Sequence, residues 1–385
     1  MEIDYVEISG VSLEGGVRDV NRMTFFEAPS RARRRVRSGD ILVSTVRTYL
    51  RAIAAVHEAS DNLIASTGFC VVRPREGADS AFIGWVAKSE PFVSEVVARS
   101  VGVSYPAINS SDIATIEVPL PPLETQKRIA QFLDEKTAQI DKLIDKKRAL
   151  LDRLAEQRQA LITQAVTKGL NPSTPLKPSG IDWLGDIPVH WEVLPVKRVA
   201  KLESGHTPDR KVGANWDDCS IPWVSLNDTA LLRANDYISD TTIKINELGL
   251  ANSSARMLPA QAVVFTRDAT IGESAITTRP MAVSQHIIAW LSETDRVMPE
   301  FLLFAIYGMS GELNRLTNGS TIGTIGMADV RSIRVALPPV SEQKDIVSLV
   351  FKRKSEIGKI AGEVGRSIDR LSEYRAALVT SAVTG

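Results

Sequence analysis

The chain has 385 residues, enough for two or three domains, and its 46 Lys and Arg residues balance its 46 Asp and Glu residues. Zero net charge argues against indiscriminate, charge-driven binding of nucleic acid, although it permits a locally positive surface. No apolar run approaches the roughly 18 residues of a membrane span, and the N-terminal sequence lacks the basic and apolar regions of a signal peptide. We therefore expect a soluble, cytoplasmic protein without membrane contact.

Residues 1–122 are predicted to form a first globular domain of mixed strands and helix. Arginines are concentrated on both sides of the apolar strand at residues 41–44. Guanidinium groups suit phosphate and guanine alike, so these arginines are candidate DNA contacts. The alternative is a solvated basic loop, or one that pairs with acidic neighbours. The candidates are Arg31, Arg33, Arg34, Arg35, Arg37, Arg47 and Arg51.

Residues 123–168 are predicted to form a long spacer helix. Its apolar residues recur every three or four positions, which makes a narrow seam typical of a helix that pairs with another long helix. About 42 residues would give a rod of roughly 60 Å. Lys168-Gly169 followed by Asn171-Pro172 is a helix stop. The seam residues are Ile129, Leu133, Ile140, Leu143, Leu151, Leu154 and Leu161, with Ala165 at the end.

Residues 169–181 carry three prolines and are predicted to be a semi-rigid linker. A second globular domain is expected at 182–339, with strands at 262–266 and 286–290 and a helix at 299–307. Its polar loop at 204–211 and the segment Thr266-Arg-Asp are the candidate DNA contacts of this domain. The residues concerned are His206, Thr207, Arg210, Lys211 and Arg267.

Residues 340–385 are predicted to form a second long spacer helix, and they reveal a duplication. Residues 100–168 and 317–385 align without a gap and are identical at 24 of 69 positions. The repeated seam makes pairing of the two helices the preferred interpretation over packing of each helix on its own domain alone. The equivalent seam residues are Ile346, Val350, Ile357, Ile360, Ile368, Leu371 and Leu378, with Ala382 at the end.

The repeat also aligns two glycine-containing loops, one beginning at Gly102 and the other at Gly319. Glycine lets backbone amides approach a phosphate closely, so both loops are candidate contacts to the DNA backbone, a plain turn being the alternative. The candidate side chains in these loops are Ser104, Ser320 and Thr321.

Motifs for catalysis are missing from the sequence. It contains no G-x-x-x-x-G-K-[ST] phosphate loop, and Asn171-Pro-Ser-Thr lacks the aromatic residue that an adenine methyltransferase motif needs. Cys70 and Cys219 are expected to be structural thiols. The four histidines show no zinc spacing; His206 could touch DNA, whereas His57, His190 and His286 are expected to pack. We therefore expect a non-catalytic chain with no cofactor and no metal of its own.

The motifs and their order resemble the specificity subunits of type I restriction–modification enzymes over essentially the whole chain. The resemblance rests on Trp183-Leu-Gly-Asp-Ile-Pro-Val-His-Trp-Glu-Val, Ser204-Gly-His-Thr-Pro, Ile221-Pro-Trp-Val-Ser, and a duplicated Leu-Pro-Pro-x-x-x-Gln-Lys before each long helix. It implies that each globular part is a target-recognition domain that reads half of a bipartite, asymmetric site in double-stranded DNA. It also implies antiparallel spacer helices that dock two modification subunits, which methylate adenine with S-adenosylmethionine. Restriction subunits would add translocation and cleavage that depend on ATP and Mg²⁺.

The fold class expected is α+β, with two target-recognition domains, each followed by a long helix. The two helices pair as an antiparallel coiled coil with pseudo-twofold internal symmetry. Residues 182–220 precede Ile221 in the second half, whereas the first half begins almost at the matching residue, Ile3. The first domain is therefore expected to be N-terminally shortened. The alternative function is a non-enzymatic coiled-coil adaptor that binds protein partners.

Overall fold

The computed structural model describes residues 1–319 and 323–385, which divide into two compact units. Unit 1 comprises Met1–Leu150 and Glu363–Gly385, and unit 2 comprises Leu151–Gly362. Each unit contains one globular part and a segment of each long helix. The α+β class is confirmed. The units differ from the predicted domain bounds because each long helix contributes to both units, and those bounds stay a prediction.

Unit 1 builds its globular part from two small sheets and three short helices. One sheet has the strand order β4-β1-β8-β5 and the other has the order β7-β6-β9, while β2 and β3 form a separate pair. The strands are β1 (Glu2–Val6), β2 (Val11–Ser12), β3 (Gly16–Val17), β4 (Asn21–Thr24), β5 (Ala32–Arg35), β6 (Ile41–Ser44), β7 (Ile53–Ala55), β8 (Leu63–Ser66) and β9 (Phe69–Val72). The helices are α1 (Ser80–Lys88), α2 (Glu90–Ala98), α3 (Ser110–Ala114) and the long α4 (Leu123–Lys168).

Unit 2 has the larger sheets, with orders β13-β21-β18-β19-β15 and β16-β14-β20-β17, and the pairs β10-β11, β12-β24 and β22-β23. The strands are β10 (Leu176–Pro178), β11 (Asp186–Pro188), β12 (Glu192–Pro195), β13 (Ala200–Ser204), β14 (Ile221–Val224), β15 (Tyr237–Ile238), β16 (Lys244–Ile245), β17 (Met257–Leu258), β18 (Ala262–Thr266), β19 (Ser274–Thr277), β20 (Met281–Val283), β21 (Ile287–Ser292), β22 (Thr317–Asn318), β23 (Thr324–Ile325) and β24 (Arg334–Leu337). The helices are α5 (Thr229–Ala234), α6 (Glu247–Ala251), α7 (Pro299–Gly308), α8 (Ser310–Arg315), α9 (Met327–Ser332) and the long α10 (Val340–Thr384).

The region predicted as a linker is only partly irregular. Leu176–Pro178, inside the predicted linker 169–181, forms strand β10 and pairs antiparallel with β11. The predicted semi-rigid linker therefore contains a short strand at these residues. Proline is tolerated in such a two-stranded ribbon because each strand has an edge that needs no N–H donor.

The two globular parts share one strand arrangement, as the duplication requires. β1 runs parallel to β8 with Tyr5 opposite Ile64, and β14 runs parallel to β20 with Trp223 opposite Ala282. Likewise β9 lies antiparallel to β6, and β21 lies antiparallel to β18. The rings of Tyr5 and Trp223 are both buried, so each domain is organised around an aromatic residue at the same place.

A buried glutamine explains the repeated Leu-Pro-Pro-x-x-x-Gln motif at the start of each long helix. The side chain of Gln126 donates to the carbonyls of Gly77 and Pro121 and accepts from the backbone N–H of Asp79. Asp79 caps α1, so the glutamine fixes the start of α4 to the start of α1. Gln343 makes the same three bonds, to Arg296 and Pro338 as donor and from Met298 as acceptor.

The predicted seams of the long helices are partly or fully buried, with two corrections. The buried seam residues are Leu133, Ile140, Leu154, Ala165, Ile346 and Val350, and the half-buried ones are Ile129, Leu151, Leu161, Ile357, Ile368, Leu371, Leu378 and Ala382. Leu143 is 42% exposed and Ile360 is 46% exposed, so neither lies in the buried seam. Their places are taken by Ile144 and Val364, which are 6% and 8% exposed. The buried residue lies one position after Leu143 in α4 and four positions after Ile360 in α10. Within the described part of the chain, no helix is long and apolar enough to cross a membrane.

In unit 1 the long helices run antiparallel, since Ala130 and Leu133 of α4 cluster with Val379 and Val383 of α10. In unit 1, Arg375 of α10 forms a two-bond ion pair with Asp141 of α4, at 2.8 and 3.2 Å. In unit 2, Ile162 and Val166 of α4 share a core cluster with Ile346 and Val350 of α10.

Each helix end also packs on a globular part, so pairing and domain packing occur together. Val379 and Val383 lie in a cluster with Phe82 and Trp85 of α1 in unit 1. In unit 2, Gln159 of α4 donates to the carbonyl of Tyr307 of α7 at 2.7 Å.

Candidate nucleic-acid interface

Unit 1 gathers three chain segments into one exposed cluster of loops, here called loop cluster 1 (residues 45–51, 66–68 and 101–108). The backbone N–H of Thr45 donates to the carbonyl of Gly68 at 2.8 Å, and the Thr45 carbonyl accepts from Ile108 at 2.9 Å. The N–H of Arg47 then donates to Pro106 at 2.8 Å. Loop 45–51, which follows β6, is therefore held between two segments distant in sequence.

Unit 2 repeats this pattern in loop cluster 2 (residues 267–273, 284–286, 317–319 and 323–325). The N–H of Arg267 donates to His286 at 3.0 Å, the Arg267 carbonyl accepts from Ile325 at 2.9 Å, and Ala269 donates to Gly323 at 2.8 Å. Ala269 is in the left-handed backbone conformation (φ 61°), as is its counterpart Arg47 (φ 50°). The two halves therefore present the same loop framework.

The structure brings the predicted loop glycines into these clusters. Gly102 and Gly319 have φ of 120° and 111°, which only glycine adopts readily, and both lie where the chain turns between β-bridged segments. Ser104, at the tip of the first loop, is exposed. Ser320 and Thr321, the other candidates here, lie outside the described residues.

Loop cluster 1 combines a cation with exposed apolar and aromatic side chains. The guanidinium of Arg47 lies 4.7 Å from the centre of the Tyr105 ring, within the range of a cation–π contact. Tyr105 is 66% exposed, and Val103 at the loop tip is fully exposed. Sequence reasoning missed Tyr105, although an aromatic residue beside a predicted phosphate loop was the available signal.

The arginine run lies on a sheet edge rather than in a loop before a strand. Arg33, Arg34 and Arg35 belong to β5, the edge strand of its sheet, and their side chains are exposed. The run adjoins loop cluster 1 at one end, where the carbonyl of Arg31 accepts from Thr67 at 2.8 Å. Towards the exposed Arg37, β5 runs away from loop cluster 1, because its residues pair with successively earlier residues of β8.

Two of the candidate arginines of unit 1 have carboxylate partners. Arg31 pairs with Glu7, and Arg51 forms two bonds to Glu90 at 2.8 and 2.9 Å. The hydrogen bonds from Arg51 lower the pKa of Glu90 below its ordinary value. For Arg31 and Arg51 the structure thus shows the pairing with acidic neighbours that was the alternative interpretation.

Loop cluster 2 contains a carboxylate held by several donors. His286 Nδ1 lies 2.6 Å from Asp268 Oδ2, and the Thr324 hydroxyl donates to the other oxygen of Asp268. The half-buried Arg267 lies 3.5 Å from the same carboxylate. Burial alone would raise the pKa of Asp268, but the hydrogen bonds from Thr324 and His286 outweigh it and hold this pKa below its ordinary value.

The predicted polar loop 204–211 joins the same network. Thr207 donates to Gln285 Oε1 at 2.5 Å, and the Gln285 amide lies 3.1 Å from His286 Nε2. The exposed His206 is anchored through its carbonyl, which accepts from the indole of Trp223 at 3.2 Å. The predicted residues Thr207 and Arg267 are thereby linked through Gln285 and His286, which were not predicted. Arg210 and Lys211 are exposed farther along the loop.

Gly205 allows this close approach of loop 204–211 to the sheet. A Cβ atom at this position would lie 1.6 Å from the carbonyl oxygen of Val283 in β20, where no side chain fits. The glycine in the Ser-Gly-His-Thr-Pro motif is therefore required by the packing of the loop backbone on β20.

The expectation that His57, His190 and His286 pack was wrong: none of the three is buried, and His57 is exposed. The side chain of His286 is 40% exposed and bonds to Asp268, while His190 Nε2 lies 2.9 Å from Glu342 in the first turn of α10. Both imidazoles serve as hydrogen-bonding groups, because each lies beside a carboxylate contributed by a distant segment.

Comparison with known proteins identifies the family. The profile of the type I restriction modification DNA specificity domain matches residues 33–153 and 188–359, about three quarters of the chain. The chain therefore belongs to the type I restriction–modification DNA specificity family. Its role is that of the family: a non-catalytic subunit that gives DNA specificity within a type I restriction–modification complex.

Individual relatives agree with this assignment. The chain is 28% identical over 169 residues to the MjaIX specificity subunit of Methanocaldococcus jannaschii, covering 43% of this chain and 38% of that one. It is 22% identical to the putative MjaX specificity subunit of the same organism (85% and 77% covered). It is 21% identical to the HindI specificity subunit of Haemophilus influenzae (93% and 89% covered).

Solved structures share the fold. A chain from work on the complex assembly and conformational transition of the type I R-M system has a TM-score of 0.80 at 22% identity, with 100% of this chain and 92% of that chain covered. The HsdS subunit of Thermoanaerobacter tengcongensis has a TM-score of 0.57 at 23% identity, with 100% and 91% covered.

Proposed function

We propose that loop cluster 1 and loop cluster 2 each contact one half of a bipartite, asymmetric sequence in double-stranded DNA. The observation that carries this proposal is the repeated loop framework with different side chains at equivalent positions. Arg47 in unit 1 corresponds to Ala269 in unit 2, and Val46 corresponds to Asp268. One backbone geometry with two sets of side chains suits the reading of two different half-sites.

The chemistry of each cluster fits a DNA groove. An exposed guanidinium such as that of Arg47 can bind a phosphate or the O6 and N7 atoms of guanine. In unit 2 the polar chain from Thr207 through Gln285 to His286 offers hydrogen-bonding groups on a half-exposed surface. The arginines of β5 would contact phosphates and fix the register of the protein on the duplex. The individual contact residues stay predictions.

The proposal includes the rest of the complex. Two modification subunits would bind the chain and methylate adenine with S-adenosylmethionine, and restriction subunits would supply cleavage with ATP and Mg²⁺. The paired long helices would set the spacing between the half-sites. This assembly would work in the cytoplasm, and the chain itself would need no cofactor.

Mapping of methylated adenines tests the proposal. The intact chain is co-expressed with its modification subunit, and the methylated motif is compared with that of the variants Arg47→Ala and Gln285→Ala. We expect each variant to relax or abolish a different half of one two-part motif. Arg279→Ala, in the exposed turn between β19 and β20 and away from loop cluster 2, is the matched control and should leave the motif unchanged.

The results also separate this function from the adaptor alternative. Phosphate contacts make DNA affinity fall with salt, by a slope of about −0.9 per contact. The proposal would be contradicted if co-expression produced no methylated motif and DNA binding did not depend on salt. That result would favour the alternative, an adaptor that binds protein partners.

A further inference from the structure

A strand edge that is covered in unit 2 is open in unit 1. In unit 2, β21 lies between β18 and β13, with Ser204 opposite Ile288 and Leu202 opposite Trp290. The counterpart of β21 in unit 1 is β9, which pairs with β6 on one side. Among the described residues, no strand pairs with the other side of β9. This row of backbone donors and acceptors is a template for one more strand.

The same difference occurs at the segment that leads into each long helix. In unit 2, β24 pairs with β12, and Val335 and Leu337 are 1% and 9% exposed. Their sequence equivalents in unit 1, Val118 and Leu120, are 36% and 57% exposed. The apolar side chains that are buried at this segment in unit 2 are thus exposed at the equivalent segment of unit 1.

A cavity of about 520 Å³ lies between these two open segments in unit 1. Its lining is mostly apolar and includes Val72, Val86, Phe92, Ile116 and Val118. An apolar cavity of this size beside an open strand edge suits a polypeptide that adds a strand and inserts alternate side chains.

Unit 2 shows what kind of segment fills this place. Val196 and Val199 lie between β12 and β13 and are fully buried. The backbone N–H of Val196 donates to the carbonyl of Ile333 at 2.9 Å, and Ile333 is the sequence equivalent of Ile116. Small aliphatic side chains on the 3-10 turn Val196–Arg198 and at its end, between two strands, therefore cover the equivalent surface within the same chain.

We propose that β9 and the adjacent cavity bind a strand–turn–strand segment of a partner polypeptide with the chemistry of residues 193–204. The second strand of the segment pairs antiparallel with β9, and the turn before it places valine-sized side chains in the cavity. A second copy of this chain is a poor source, because its own residues 193–204 are already built into the core of unit 2. The bond-forming edge is that of β9, since Pro119 in the other open segment has no N–H to donate.

A peptide with the sequence of residues 191–206 is the probe, labelled with a fluorophore and titrated against the intact chain. We expect saturable binding by fluorescence anisotropy. A matched peptide that carries Val196→Asp and Val199→Asp should bind at least tenfold more weakly. The chain variant Val118→Lys, at a half-exposed position of the cavity wall, should weaken binding of the original peptide by a similar factor.

Hydrogen exchange locates the bound peptide and controls for misfolding. Bound peptide should slow exchange at residues 69–73 at least fivefold and leave residues 287–292, whose edge is already covered, unchanged. Equal binding by Val118→Lys, or unchanged exchange at 69–73, would overturn the proposal. Self-association of the chain that protects 69–73 without peptide would also overturn it, by making a second copy the occupant. No DNA is used, so failure here leaves the proposed recognition function standing.

Discussion

Substitution of the buried glutamine at the start of a long helix should destabilise the unit that contains it. Gln343→Ala removes the partner of the Met298 N–H and of the carbonyls of Arg296 and Pro338, all at 2.8–2.9 Å in the structure. An unsatisfied buried polar group costs about 1–3 kcal/mol, and carbonyls tolerate the loss better than an N–H. We expect a total of about 3 kcal/mol, which is roughly a hundredfold in the unfolding equilibrium.

Gln343→Glu makes the same prediction sharper through its pH dependence. A carboxylate would keep the bond from Met298 but would point its second oxygen at two carbonyl oxygens, which raises its pKa in the folded state. A raised folded pKa means that stability is fully present below the ordinary value of about 4.3 and is lost as pH rises through the folded pKa. Relative to the parent chain, Gln343→Glu should therefore be less destabilised at pH 4.5 than at pH 7.5. Gln343→Ala should show no such difference.

Hydrogen exchange measured by mass spectrometry suits a chain with two compact units, because unfolding need not be two-state. Peptides from α7 should exchange faster in Gln343→Ala, and peptides from α1 should exchange faster in the matched variant Gln126→Ala. Equal acceleration at both helices in each variant, or acceleration below threefold, would refute the role given to this residue.

Three further predictions concern the loop clusters. Arg47→Ala should weaken DNA binding about tenfold and reduce the slope of affinity against salt by roughly one phosphate contact, as measured by an anisotropy titration. Arg51→Ala should have a smaller effect, because Arg51 is already paired with Glu90. Gly205→Ala should displace loop 204–211, because its Cβ would meet the Val283 carbonyl; faster exchange in that loop at unchanged unit 1 exchange is the expected readout. The lowered pKa of Asp268 means that its stabilisation of loop cluster 2 is present above the ordinary value of about 3.9 and is lost as pH falls through its folded pKa. Asp268→Asn should remove that acid-induced loosening, seen as pH-independent chemical shifts of the loop between pH 5 and 3.

The long helices were predictable because their periodicity is set locally. A helix that buries one stripe must repeat apolar residues at three- and four-residue steps, and both copies obey this rule. The error at Leu143 has the same origin. Leu143 is followed by the equally apolar Ile144, and spacing alone does not decide which of two adjacent residues faces inward.

The loop clusters were only partly predictable because they depend on pairing between distant segments. Composition marked Arg47 and the segment from Thr266 to Asp268 as polar loop residues. It gave no sign that Asp268 would meet His286, since that contact follows from the register of β18 on β21. The partnership of Gln126 with Gly77 is hidden for the same reason.

The comparison of the two copies shows where the duplicated sequence was free to diverge. Backbone bonds that hold each loop cluster are kept, as with Thr45 to Gly68 and Arg267 to His286, although the side chains at these positions differ. A framework fixed by main-chain hydrogen bonds does not depend on side-chain identity, so substitutions in the loops alter the presented surface at little cost to folding. The proposed reading of two different half-sites would depend on this separation of framework from surface. The buried glutamines, whose side chains are themselves part of the framework, are accordingly identical in both copies.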